Sequence, residues 1–425
     1  MYKCVFRMCQ TRGVFLQDAL RFLKFRFSSQ RQSLCWDGGL PIPKSHPTPV
    51  VHGGIAGPWE VSRSVAFAAR PSANERRKGN KVSTVPDRSS TDVFVVGAGG
   101  IGCAVGYALR AGDLDVTFVD ADEQKVEWGN RYGVGLDRHP FLPARFVHFE
   151  EWHPPAESIV LLCTKCFDNA TVLARLPPSV SVMPIQNGFD RALMKRSAIE
   201  GISSFVSECL PKRTHTRITR DGDLHIGRWG GNEEDLPLPT MAPLFRLLKR
   251  HGSFRVKKVS DVLPYKYSKV MYNAAISPLA AVAGLDNGQL LTIRKARRLF
   301  FQILRENYGI LKAAGVPLGV VGPFHPDTVG RILRLPVIAR VMAWPFSLSL
   351  RNTYCSMSGD IPKGRTEIDY FNGHLIKLAG NRDIPLNRLA YDLVKRMEKE
   401  RATPAPHWLD ELVAALEDSA AAWTS

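Results

Sequence analysis

The chain has 425 residues, 44% of them hydrophobic, and a formal net charge of +17. That is enough for two ordinary domains with packed interiors. No run of 18 apolar residues is free of charge, which excludes a membrane-spanning helix, so a soluble protein without a membrane partner is expected.

The positive charge first suggests nucleic acid, but it is unevenly placed: residues 1–90 carry 15 Lys and Arg against 5 Asp and Glu. No recognition helix, zinc finger or RNA-binding sheet motif accompanies it, so nucleic acid is not expected as a partner. Residues 1–90 read as a basic leader that forms no core, with Arg, Ser and Pro scattered through it and a linker-like tail from Asn74 to Ser90. Val14 to Phe27 mixes Phe and Leu with Arg21, Lys24 and Arg26, as a short basic amphipathic targeting helix would. A transit peptide, a disordered leader and a misassigned start all remain open. The eight cysteines have no regular spacing, which suits a reducing compartment. A cytoplasmic location is expected, or an organelle if the leader is a transit peptide. Cys163 and Cys166 form a C-x-x-C without a second Cys or His pair, so they read as a buried thiol and a loop thiol, and no metal site is expected.

From Thr91 the pattern changes to short apolar runs between helical stretches. Val93–Val96, Val116–Val119, Ile159–Cys163 and Val180–Ile185 read as buried strands, and further strands around Ser203–Ser207 and Leu224–Ile226 are expected to complete the layer. Such alternation predicts a parallel sheet covered by helices over residues 91–256. Beyond Val256 helical patterns take over: Tyr265–Ala283, Arg294–Ala314, Thr328–Ala343 with a kink at Pro336, Thr366–Ala379, Asn387–Arg401 and a terminal helix over Pro406–Trp423. Residues 257–425 are therefore expected to form a helical domain carrying the catalytic and substrate groups.

Directly after the first strand comes Gly97-Ala98-Gly99-Gly100-Ile101-Gly102. Gly97 permits a tight turn, Gly99 lets the backbone approach a pyrophosphate, and Gly102 allows helix and strand to pack closely. The phosphates would then meet the amino end of the next helix, whose unpaired N–H groups favour anions. Asp120 closes the second strand, where a carboxylate accepts ribose hydroxyls of NAD and repels the 2′-phosphate of NADP. Lys125 and Arg131 are near enough in sequence to reach a phosphate, so both cofactors stay open.

Three later segments carry the remaining chemistry. Leu161-Leu162-Cys163-Thr164-Lys165 and Ile185-Gln186-Asn187-Gly188 both end predicted strands, where ligands bind in open α/β sheets. Lys269, Asn273 and Ser277 recur every four residues and so share one helix face, although Lys266 nearby is equally basic. Ser356-Met357-Ser358-Gly359-Asp360-Ile361 is followed by Gly364-Arg365-Thr366-Glu367-Ile368-Asp369 and Asn372-Gly373. Thr366 and Glu367 also suit a helix start.

In these segments and in the glycine turn, residues 93 to about 402 resemble the ketopantoate reductase family. The resemblance implies a Rossmann-type sheet domain followed by an all-helical domain like the carboxyl-terminal part of 6-phosphogluconate dehydrogenase. It implies reduction of 2-dehydropantoate to pantoate, in pantothenate and coenzyme A biosynthesis, with NADP(H); NAD(H) stays open because of Asp120. In the family the lysine at position 269 is the general acid, and Glu367 binds the substrate hydroxyl. Asn273, Ser277 and Ser356 are then expected to hold the substrate, and Lys165 and Asn187 the nicotinamide or the substrate acid. Ser277 stands where the family usually has Asn, and the interval from Ser356 to Glu367 is one residue short. Both departures leave room for another hydroxy or keto acid as substrate. A homodimer and a non-catalytic dinucleotide-binding protein also remain open.

Overall fold

The computed structural model describes residues 91–231 and 241–422, which all fall within one compact unit spanning Thr84–Ser425. The basic leader and its targeting helix lie outside the described residues.

The chain alternates as the apolar runs predict: β1 (Val93–Val96), α1 (Gly100–Arg110), β2 (Thr117–Asp120), α2 (Glu123–Tyr132), β3 (Gly135–Leu136), β4 (Arg145–His148), β5 (Ile159–Leu162), α3 (Asn169–Ala174) and β6 (Ser181–Pro184). Five of these strands form one all-parallel sheet in the order β4-β2-β1-β5-β6. Successive side chains of a strand point to opposite faces. Val93 and Val95 accordingly enter one apolar cluster with α1, while Phe94 and Val96 enter another with Trp152 and Val172. Burial on both faces explains why the central strands β1 and β5 are unbroken apolar runs.

After α4 (Arg191–Arg196) come β7 (Ile199–Ser203), β8 (Val206–Cys209), β9 (His215–Arg220), β10 (Asp223–Arg228), α5 (Ala242–His251) and β11 (Arg255–Asp261). The strand expected over Ser203–Ser207 is in fact two, β7 and β8, interrupted at Ser204 and Phe205. These strands do not complete the parallel layer as expected. They form two mixed three-stranded sheets, β11-β10-β7 and β3-β9-β8, the first joined to β6 by an isolated bridge between Ile185 and Gly201. Strand β11 crosses position 256, where the strand pattern was expected to end.

The helical half contains α6 (Leu263–Ala283), α7 (Gln289–Thr292), α8 (Arg294–Ala313), α9 (Pro326–Leu333), α10 (Pro336–Ser349), α11 (Asn372–Ala379), α12 (Pro385–Glu400) and α13 (His407–Ala422). The kink expected at Pro336 is a break: Pro336 opens a new helix, where its missing N–H costs nothing. The helix expected from Thr366 begins only at Asn372: Thr366 donates its backbone N–H and hydroxyl to Glu398 Oε1, at 2.8 and 2.6 Å, and its hydroxyl accepts Ile368 N at 3.1 Å, opening only the short 3₁₀ turn Ile368–Tyr370. Asn372 Nδ2 donates to Ala274 O and to Asn387 Oδ1, both at 2.9 Å, and Asn387 Nδ2 donates to Asn307 Oδ1 at 2.7 Å. Asn307 in turn donates to Met271 O at 2.9 Å. This buried amide chain fixes α6 against α8, α11 and α12, and so fixes the face that carries Lys269.

Candidate active site

The carboxyl end of β1 runs into the glycine turn. Gly97 adopts φ +96°, and a Cβ there would lie 2.8 Å from Thr164 N; one on Gly102 would lie 1.9 Å from Gly97 O. Neither position tolerates a side chain. At Gly99, by contrast, a Cβ would meet nothing within 4 Å, so that side of the turn is open. The first-turn amides of α1, which have no intrahelical acceptor, face a ligand without obstruction from that side. These features fit a dinucleotide pyrophosphate.

Asp120, expected to accept ribose hydroxyls, is also engaged by the backbone. Its Oδ2 accepts Ala98 N at 2.7 Å and its Oδ1 accepts Asp122 N at 3.0 Å, so the carboxylate braces the turn. Lys125 Nζ donates to Ala98 O at 3.0 Å and lies 3.9 Å from Asp120, which commits that lysine locally. A carboxylate offers about four acceptor positions, and two remain after these bonds.

A cavity of about 810 Å³ starts at Gly100 and Ile101 and is walled on its helical side by Lys269, Asn273 and Ser277 of α6. Asn187 and Ser356 also line it. Burial, and secondarily the charge of Arg220, lower the Lys269 ammonium to about 8. The equally basic Lys266 is placed differently. It is 1% exposed, paired with Glu200, and lies 5.1 Å from the ring centroids of Phe189 and Trp229. Burial pushes Glu200 up to about 7 although Lys266 opposes the rise. The two lysines are thus sorted by location: one faces the cavity and the other neutralises a buried acid. Among the described residues the Asn187 Oδ1, Asn287 Oδ1 and Ser207 Oγ atoms are buried without a hydrogen-bond partner, and all three residues line the cavity. Buried polar atoms are normally satisfied, so these three call for a ligand group or an ordered water.

Lys165, expected to hold the nicotinamide or the substrate acid, meets Ser356 and Glu367, both expected to hold the substrate, in one cluster. Lys165 Nζ donates to Ser356 Oγ at 2.8 Å and to Asp360 Oδ2 at 2.9 Å, and lies 3.4 Å from Glu367 Oε2. Glu367 is 5% exposed, and its Oε1 accepts Cys166 N at 3.2 Å. Burial disfavours the Lys165 charge, but Glu367 and Asp360 more than offset this and hold its ammonium above the ordinary range. The cluster ties the end of β5 to the helical half across roughly 200 positions of sequence. Ser356 lines the cavity, whereas neither Lys165 nor Glu367 is among its lining residues. The C-x-x-C thiols are both free: burial raises Cys163 to about 12 and also raises Cys166, which is the more buried of the pair.

Arg220 and Tyr272 were not singled out from the sequence, yet both line the cavity. Arg220 sits on β9, whose mixed sequence His-Thr-Arg-Ile-Thr-Arg gives no buried-strand signal. Tyr272 was within reach of a reading that followed the α6 face beside Asn273.

A parallel sheet with a glycine turn at its carboxyl edge, facing a helix-borne lysine across one cavity, defines a Rossmann-type oxidoreductase that takes a nicotinamide dinucleotide. Residues 93–231 match the family described as "Ketopantoate reductase PanE/ApbA", and residues 261–398 match its C-terminal part. The chain belongs to this ketopantoate reductase family and is an NAD(P)-dependent oxidoreductase acting on CH–OH groups. It is 25% identical over 329 residues to the 2-dehydropantoate 2-reductase of Aquifex aeolicus, covering 72% of this chain and 96% of the relative. The PanE/ApbA family ketopantoate reductase structure from Ralstonia eutropha superposes with a TM-score of 0.58 at 22% identity, covering 73% of this chain and 99% of that one. A D-mandelate dehydrogenase solved with NADH and anilino(oxo)acetate has the same fold, with a TM-score of 0.58 at 16% identity over 73% of this chain and 99% of that one. Among the described residues, no helix is long and apolar enough to cross a membrane.

Proposed function

We propose that the chain reduces the keto group of a small anionic 2-keto acid, with 2-dehydropantoate, the substrate named in its relatives, as the first candidate and pantoate as its product. One observation carries this reading: Lys269, with its ammonium lowered to about 8, faces the same cavity as the first residues of α1. Reduction leaves negative charge on the carbonyl oxygen, which needs a proton and oriented donors. A reduced nicotinamide, when bound, supplies the hydrogen and electron pair that the keto carbon gains. Lys269 Nζ gives its proton to the carbonyl oxygen, and its lowered pKa eases that release. Asn273 and Ser277, on the same face, orient the reacting group. Lys165 and Ser356 are donors suited to the substrate carboxylate. Glu367 is an acceptor suited to a substrate hydroxyl, once that hydroxyl replaces one of its present donors. Gly97, Ala98, Gly99, Gly100, Ile101 and Gly102 hold the dinucleotide, with Asn187 at its nicotinamide end. The carboxylate of Asp120 favours NADH over the NADPH that family resemblance implies.

A coupled assay with 2-dehydropantoate and each reduced cofactor tests the reading. Lys269→Ala should lower turnover by about 10²- to 10⁴-fold while the cofactor still binds, as followed by its fluorescence. Because the protonated lysine is the active form, kcat/KM should be level below pH about 8 and fall above it; the slope should be about tenfold per pH unit. Near-wild-type turnover by the variant would remove Lys269 from the mechanism. Reduction of a different keto acid is a second reading, favoured by Ser277 and by the apolar far wall of the cavity.

A further inference from the structure

The residues that α8, α9 and α10 contribute to the cavity are hydrocarbon, and together they form an apolar arm: Phe301 and Leu304 come from α8, Ile332 from α9, and Met342, Ala343 and Phe346 from α10. Asn287 and Thr353 also line the cavity. Protein interiors close-pack, with few voids larger than a water molecule, because unfilled apolar space forfeits dispersion contacts on every wall. An apolar space opening from a cavity of about 810 Å³ is therefore an unfinished core that a ligand completes. A short unbranched side chain fills it poorly, since it leaves wall atoms without contacts. The walls are also thinly backed. Helix α10 lines the arm with Ala343 while its opposite face leaves Val337 74%, Val341 54% and Trp344 65% exposed.

We propose that this arm receives the side chain of the keto acid, and that the site selects 2-keto acids bearing a bulky branched or aromatic hydrocarbon substituent over compact ones. Ala343 and Phe301 are then specificity-determining residues. The inference rests on the keto-acid reading above and refines its substrate class. The carboxylate and keto groups remain at the Lys269 end, and the substituent points between α8 and α10.

The test measures kcat/KM of the full chain, with saturating NADH and then NADPH, for 2-oxobutanoate, 2-dehydropantoate, 4-methyl-2-oxopentanoate and phenylpyruvate. A single added methylene in an apolar pocket is worth about 10- to 200-fold, so 4-methyl-2-oxopentanoate and phenylpyruvate should exceed 2-oxobutanoate by about tenfold or more. Ala343→Phe, which fills the arm, should lower the ratio of phenylpyruvate to 2-oxobutanoate efficiency by about tenfold or more. Ala339→Leu, on the same wall, gives a second reading if the first variant melts early. Turnover of 2-oxobutanoate as efficient as that of 4-methyl-2-oxopentanoate and phenylpyruvate, or ratios unmoved by both variants, would overturn the selectivity while leaving the keto-acid reading intact. Absence of turnover with every acid and both cofactors would overturn the keto-acid reading and this inference together.

Discussion

The glycine turn and helix α6 supply opposite walls of one cavity, but they are built in different ways. The turn is made within a single strand–turn–helix unit: Gly97 takes its positive φ, Gly102 packs on Gly97, and Asp120 braces Ala98 from the next strand. Helix α6 takes its position from distant partners. Asn307 and Asn372 hold its backbone, and Glu200 neutralises Lys266. The difference teaches that the glycine turn is written in adjacent residues, whereas which of two similar lysines lines the cavity is selected by which of them finds a buried acid.

Substitutions that strike one side only would break or sharpen this contrast. The largest effect on stability is expected at Lys266. Lys266→Ala leaves Glu200 buried alone and should cost about 3–5 kcal/mol near pH 8 in denaturant melts. The loss should shrink toward pH 5, because a lone buried carboxyl, already pushed up to about 7 beside its lysine, takes up a proton there. A large loss of turnover in Lys266→Ala preparations that remain folded would blur the division between the two lysines. On the other wall, Gly102→Ala forces a Cβ into Gly97 O and should cost about 1–3 kcal/mol while abolishing cofactor binding, which calorimetric titration reads. Binding at wild-type strength would mean that the turn is not the dinucleotide site. The smallest effect is expected at Asp120. Asp120→Ser removes a charge but keeps a hydrogen-bonding group, and should move the NADPH-to-NADH efficiency ratio upward by about tenfold, or about 1.4 kcal/mol. An unmoved ratio would assign Asp120 to bracing alone.

Legibility followed the same division. β1 and β5 are uninterrupted apolar runs because both faces of the parallel sheet are covered, and runs of that kind are visible in sequence. β4 and β9 mix polar with apolar residues and passed unread, and Arg220 with them. The helix expected from Thr366 gives way to a short 3₁₀ turn, with Thr366 and Glu367 engaged by Glu398 and Lys165, partners that no local pattern names.

The sequence by itself determined the dinucleotide turn, the order of strands before helices, and the shared face of Lys269, Asn273 and Ser277, since each depends on residues within a few positions of one another. Only the tertiary structure decided that Lys266 is buried against Glu200 while Lys269 meets the cavity, that Lys165, Ser356 and Glu367 form one cluster, and that the far wall is hydrocarbon. Burial and charge pairing set those outcomes, and both depend on what packs against a side chain rather than on what precedes it in the chain.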